Sequence, residues 1–102
     1  MKSGIELIAE ERQRQIEKEG WTAEHDKQHD NGELADAAMC YIMGSPDMVI
    51  NIGNAYTQVE AKKAIWPWNI KWWKPSPKNR IKELAKAGAL IAAEIDRLNS
   101  YP

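Results

Sequence analysis

Apolar and polar positions follow a helical period over three stretches of this chain. From Gly4 to Glu19, Ile5, Ile8, Ala9, Arg12 and Ile16 fall on one stripe. Ser3 with Glu6 three residues on forms a capping box, and Gly20 stands where helices usually end. The second stretch, Gly32 to Met43, is apolar nearly all round. At about 100° per residue, Glu33, Asp36, Ala37 and Cys40 fall on one side of it, and Leu34, Ala38 and Tyr41 on another. Such a helix expects burial, so its carboxylates need either an edge position or a cation. Asp30, three residues before Glu33, predicts a second capping box, and Gly44-Ser45-Pro46 stops the helix. The third stretch, Lys78 to Asn99, begins at Ser76 or Pro77. It carries a continuous stripe of Ile81, Leu84, Gly88, Ile91, Ile95 and Leu98. Its run AKAGALIAAE is rich in small residues and suits close packing against the ADAA run of the second helix.

The segments between differ in kind. Trp21 to Asn31 is a polar linker without periodicity. In 47–64, Val49, Ile50, Ile52, Tyr56, Thr57 and Val59 favour a short hairpin turning at Gly53-Asn54, although Met48, Ile52, Ala55, Tyr56 and Val59 also fit a helical stripe. Ile65 to Pro77 reads IWPWNIKWWKPSP, and its three prolines exclude a regular helix. There Trp66, Trp68, Trp72 and Trp73 interleave with Lys71 and Lys74. Such a loop can be a hydrophobic lid, or it can stack a base on tryptophan and meet phosphate with lysine. The two uses are compatible if the lid covers a site, with Trp68, Trp72 and Lys74 as the nucleotide-binding candidates.

The expected fold is therefore one mainly α domain over residues 1–102. Three principal helices form a small bundle with an irregular Trp-rich loop. The third helix and the central one together carry more apolar surface than one thin monomer covers, so a homo-oligomer is expected.

Composition narrows the function. A net charge of −1 gives no basic field for nucleic acid or an anionic membrane. No apolar run approaches the roughly 18 residues of a membrane span. Glu6 interrupts Met1 to Ile8, which carries no signal-peptide pattern. Cys40 is the one cysteine, which suits a reducing cytoplasm. On a helix expected to be buried, it reads as core. Glycine-rich phosphate loops, CxxC pairs and Ser–His–Asp arrangements are absent from the sequence.

What remains as candidate chemistry is acidic. On the first helix Glu10 and Glu17 point away from the apolar stripe, whereas Glu11 and Gln15 flank it one turn apart, where another helix could meet them. Glu94 lies on the border of the third helix's stripe and could join Glu33 and Asp36 if the helices pack side by side. His25 and His29, four apart, offer a different possibility, a zinc site, which would need two more ligands.

The order of the acids resembles that of the all-α nucleoside triphosphate pyrophosphohydrolases, the MazG-like group. Glu10-Glu11 on one helix is followed, 22 residues after Glu11, by Glu33-Leu34-Ala35-Asp36 on the next. The family pattern is E-E-x-x-E and then E-x-x-D. The chain is also similar, nearly end to end, to small phage and prophage proteins sharing the EGW, GELA, WPW, WWKP and KAGALIAAEI segments. The first resemblance implies magnesium bound by Glu11, Glu33, Asp36 and Glu94, with Glu11 or Glu33 as general base. It also implies cleavage of a nucleoside triphosphate to monophosphate and pyrophosphate. Arg14 departs from the pattern, standing where the third glutamate would be, and Glu94 or Asp26 would have to replace it. The rival expectation is a non-enzymatic phage accessory protein that binds a host protein through the tryptophan loop. Carboxylates converging on a pocket would favour the enzyme, and a flat exposed aromatic patch the binder.

Overall fold

The computed structural model describes residues 1–22, 26, 28–51 and 58–100. Its long helices are α1 (Gly4–Glu19), α2 (Glu33–Met43) and α4 (Arg80–Asn99). Between α2 and α4 come strands β1 (Val49–Asn51) and β2 (Gln58–Glu60), a short α3 (Ala61–Ala64) and a 3-10 turn (Ile70–Trp72). The strands pair antiparallel, Ile50 opposite Val59, as a hairpin requires. The Gly53-Asn54 turn lies outside the described residues. The protein is mainly α-helical, as the periodicity predicts.

The helix ends follow local chemistry. The Ser3 hydroxyl accepts from the Glu6 N–H at 3.2 Å, and Glu6 accepts in return from the Ser3 N–H, completing the expected box. Gly20 closes α1 in the left-handed region at φ 71°. The second box does not form. Gly32 at φ 81° is the N-cap of α2, so Glu33 is the first helical residue instead of the third after an Asp30 cap. The α2 C-terminus carries no basic residue of its own. Arg80 supplies one from α4, donating to the Tyr41 carbonyl at 3.2 Å and also to the Ile42 carbonyl. Helix α4 starts later than Ser76 or Pro77. Its cap is Asn79, whose side chain accepts from the Lys82 N–H at 3.1 Å, because Pro75 and Pro77 hold the preceding residues out of the helical region.

Helix α4 is the spine. Helix α2 packs along it most extensively, and α1 packs on it as well. Gly88 permits the α1 crossing, since a Cβ there would lie 2.6 Å from the Cδ1 of Ile8. The core consists of Leu34, Ala37, Ala38, Cys40 and Tyr41 from α2, Trp66 and Trp73 from the aromatic loop, and Ala87, Leu90 and Ala93 from α4.

Two expectations about burial need correction. Helix α2 is not buried all round, because Met39 and Ile42 remain 46% and 44% exposed. On α4 the side chains of the aliphatic stripe stay largely open, although α1 crosses the same stripe at Gly88. Ile81, Leu84, Ile91, Ile95 and Leu98 are 44% to 62% exposed. The aromatic loop is pinned to the opposite face by Glu83, which accepts from the Ser76 N–H, and by Lys86, which donates to the Lys74 carbonyl. The body measures 41 × 38 × 22 Å. Its shortest dimension spans about two helix diameters, so a helix covered on one side is open on the other.

Candidate functional site

The aromatic loop folds down as a lid. Trp66 and Trp73 stack with centroids 5.0 Å apart, and Tyr41 meets both edge-on. The Trp66 indole N–H donates to the Asn69 carbonyl at 3.0 Å. Lys74 is held at both ends of its backbone unit: its N–H donates to the Tyr41 hydroxyl at 3.1 Å, and its carbonyl accepts from Lys86 Nζ at 2.9 Å. The hydrophobic-lid reading therefore describes Trp66 and Trp73. Trp68 packs between Trp66, Trp21 and His29, and Trp72 is 56% exposed.

Between this lid, α1 and α4 lies a cleft of about 1110 Å³. Helix α1 contributes Glu11, Arg14, Gln15, Lys18 and Glu19, and α4 contributes Lys82, Lys86 and Leu90. Trp21, His29, Tyr41, Trp68, Trp72 and Lys74 complete much of the wall. Arg14 grips the Glu11 carboxylate with two nitrogens, at 2.6 and 2.9 Å, and reaches Glu19 at 3.3 Å. The hydrogen bond from Arg14 to Glu11 holds the guanidinium well above its ordinary pKa. Arg14 thus bridges both cleft carboxylates, and its single charge balances one of the two. Lys18, Lys74, Lys82 and Lys86 have no carboxylate partner among the described residues. Burial, then the charge of Lys82, pushes the Lys86 pKa down. With Arg14 and four lysines against Glu11 and Glu19, the cleft carries excess positive charge beside indole and imidazole rings, which suits an anion that carries an aromatic ring.

Gln15 is the other unusual member. It is 2% exposed, and its Oε1 has no hydrogen-bond partner among the described residues. Leaving such an acceptor unpaired costs on the order of 1–3 kcal/mol.

Trp68, Trp72 and Lys74, expected at a nucleotide site, all line this cleft, as does Glu11. The other acids lie elsewhere. Glu33 accepts from the Asn31 N–H at 2.7 Å and meets His29 Nδ1 at 3.0 Å. Burial raises its pKa, but these hydrogen bonds outweigh burial and hold the carboxyl below its usual range. Asp36, one turn on, is raised by burial and by the Glu33 charge. Glu94 is taken up by Arg97, and Asp26, fully buried, pairs with Arg12 at 3.3 Å. The described residues contain no group of three or more His, Cys, Asp or Glu placed to hold a metal ion. His25, half of the alternative zinc pair, lies outside the described residues. Cys40 is fully buried, and its thiol is pushed up to about 11 by burial and then by Asp36, which suits a core residue.

Sequence reading underrated the cations. Arg14 and Lys18 are four apart on α1, and Lys82 and Lys86 are four apart on α4. Each pair shares one helix face, and that spacing was the available signal.

Comparison with family models, with curated proteins and with solved structures returns no match. No helix among the described residues is long and apolar enough to cross a membrane.

Proposed function

We propose that this chain binds a nucleoside triphosphate in the cleft and hydrolyses it to monophosphate and pyrophosphate. The carrying observation is that four lysines without a carboxylate partner among the described residues line the same cleft as Trp68 and Trp72. Lysine ammonium groups attract the phosphate chain, and the indoles offer a face to the base. The hydrolytic part rests on the order of Glu10-Glu11 and Glu33-x-x-Asp36, which resembles the pyrophosphohydrolase pattern.

Magnesium fits this chain only in part. Glu11 and Glu94 are engaged by arginines. Glu33 and Asp36 are a coupled pair of hard oxygen donors, and Asp36 has no cation beside it among the described residues. Magnesium is commonly held by one or two carboxylates, with water and substrate phosphate completing its shell. Glu33 and Asp36 are the residues that would hold it. Neither of them lines the cleft, so the described residues do not assemble a magnesium site at the phosphates. The chain's own contributions are to orient the base on Trp68 and Trp72 and to hold phosphate oxygens with Lys74, Lys82 and Lys86.

The proposal includes a homo-oligomer. It is supported by the exposed α4 stripe. A second copy laid on this helix would cover the aliphatic residues.

The test is a screen of ribo- and deoxyribonucleoside triphosphates with magnesium. Equal release of monophosphate and pyrophosphate is expected from at least one of them. Orthophosphate release, or no turnover of any triphosphate, refutes the assignment.

A further inference from the structure

We infer that Arg14 is the residue that grips the phosphate chain, and that Glu11 and Glu19 hold its guanidinium until phosphate takes their place. This rests on the nucleotide reading and adds a binding residue to it. Three nitrogens of Arg14 are engaged, Nε and Nη2 with Glu11 at 2.9 and 2.6 Å and Nη1 with Glu19 at 3.3 Å. A planar fork set against two oxygens of a carboxylate is also the geometry in which a guanidinium takes phosphate. The exchange is open to a ligand, since the Arg14 side chain is 43% exposed, against 11% for Glu11. Glu11, Arg14 and Lys82 line both the cleft and a smaller cavity of about 320 Å³, so open volume borders the ion pair in each. One positive charge shared between two carboxylates leaves this corner of a cationic cleft with an excess negative charge. A phosphate arriving there is repelled while both carboxylates keep the arginine, and is bound once it displaces Glu11 from the fork. The released Glu11 has Lys82 lining the same two cavities, a cation with no carboxylate partner among the described residues. Lysines draw phosphate as point charges, whereas the fork fixes two oxygens at once, so Arg14 is the group that sets where the chain lies.

The experiment is calorimetric titration with inorganic tripolyphosphate, at low salt and without magnesium, of wild type, Arg14→Lys, Glu11→Gln and the double variant. Lysine keeps the charge at this position and can still pair with Glu11, but it has no fork. Arg14→Lys should therefore bind at least roughly tenfold weaker than wild type, the worth of one charge-assisted hydrogen bond. Glu11→Gln removes the competing carboxylate and should bind several-fold tighter. In the Arg14→Lys background the same change should gain less, because relief of repulsion remains but no fork is released. Tm is followed in parallel, so that loss of fold is not read as loss of binding. If Glu11→Gln does not fold, Arg14→Lys decides alone. Arg14→Lys binding as wild type does overturns the role of Arg14 and leaves the nucleotide reading intact. A folded Glu11→Gln that binds no tighter than wild type does the same. Absence of saturable binding by wild type overturns the inference together with the phosphate-binding part of the nucleotide reading.

Discussion

The two faces of α4 invert the usual rule of burial. The inner face buries Glu83, Lys86 and Arg97 beside Ala87, Leu90 and Ala93, while the outer face leaves Ile81, Leu84, Ile91, Ile95 and Leu98 between 44% and 62% exposed. The inner charges are tolerated because each is bonded. Glu83 accepts from the Ser76 N–H, Lys86 donates to the Lys74 carbonyl and lies over the Tyr41 ring, and Arg97 pairs with Glu94. The Glu83 and Lys86 bonds tie down the aromatic loop that walls the cleft. The outer face has only its apolar area to offer. The inner face is thus committed to building the cleft wall, while the aliphatic stripe, the strongest hydrophobic signal in the sequence, stays largely exposed.

The largest effect should come from the inner face. Leu90→Ala removes a side chain that is 1% exposed, and about 2–5 kcal/mol should be lost in urea unfolding. A loss below about 1 kcal/mol would mean that the inner face is not the core. On the outer face, Leu84→Glu with Ile95→Glu should change the monomer's intrinsic stability far less. It should convert an assembly of several 11.6 kDa chains to single chains in light scattering. Wild type already monomeric at micromolar concentration would end the second-copy explanation.

Lys86 gives a smaller and signed test. Its folded-state pKa lies below the ordinary 10.5, through burial and then Lys82, so between those two values the unfolded chain binds more protons. Stability from this group therefore rises as pH climbs towards 10.5. Glu11 and Glu19 pull the other way and Arg14 adds to the effect of Lys82. Cys40, raised from 9.0 to about 11, opposes the trend, because its contribution is lost above the unfolded value. The quantity to follow is the difference in Tm between wild type and Lys86→Met from pH 7 to 10, which should move in favour of wild type. A flat difference contradicts the burial of a charged Lys86. The smallest effect is expected from Asp36→Asn without magnesium. It removes a charge that the fold disfavours and should raise stability by up to about 0.5 kcal/mol. If hydrolysis depends on Asp36, the same variant should be inactive.

What the sequence made legible follows from how local each signal is. The α1 boundaries could be read because Ser3, Glu6 and Gly20 act within one turn of themselves. The α2 start was read at Gly32, its N-cap, but the capping chemistry was not, because the left-handed turn at Gly32 overrode the Asp30-x-x-Glu33 pattern. The stripe of α4 was visible, but which face docks was decided by bonds to residues about seven to twelve positions away in the aromatic loop, and spacing does not encode those. At the site, Trp68, Trp72 and Lys74 were readable from the mixed aromatic and basic run. The lysines of α1 and α4 were not, since a surface lysine and a cleft lysine look alike until helices are placed. The acids resembled a known pattern in order, while the arginines that engage Glu11 and Glu94 come from the same helices, three residues on.

The claim that the cleft receives a triphosphate is tested most directly by equilibrium titration of wild type and Lys82→Glu with one hydrolysis-resistant nucleoside triphosphate. Tryptophan fluorescence is the signal, and Tm is measured in parallel. The account predicts saturable change for wild type, affinity at least about tenfold weaker for the variant through reversal of one cleft charge, and closely similar Tm values. No saturable change for wild type, or superimposable curves for the two proteins, would contradict it.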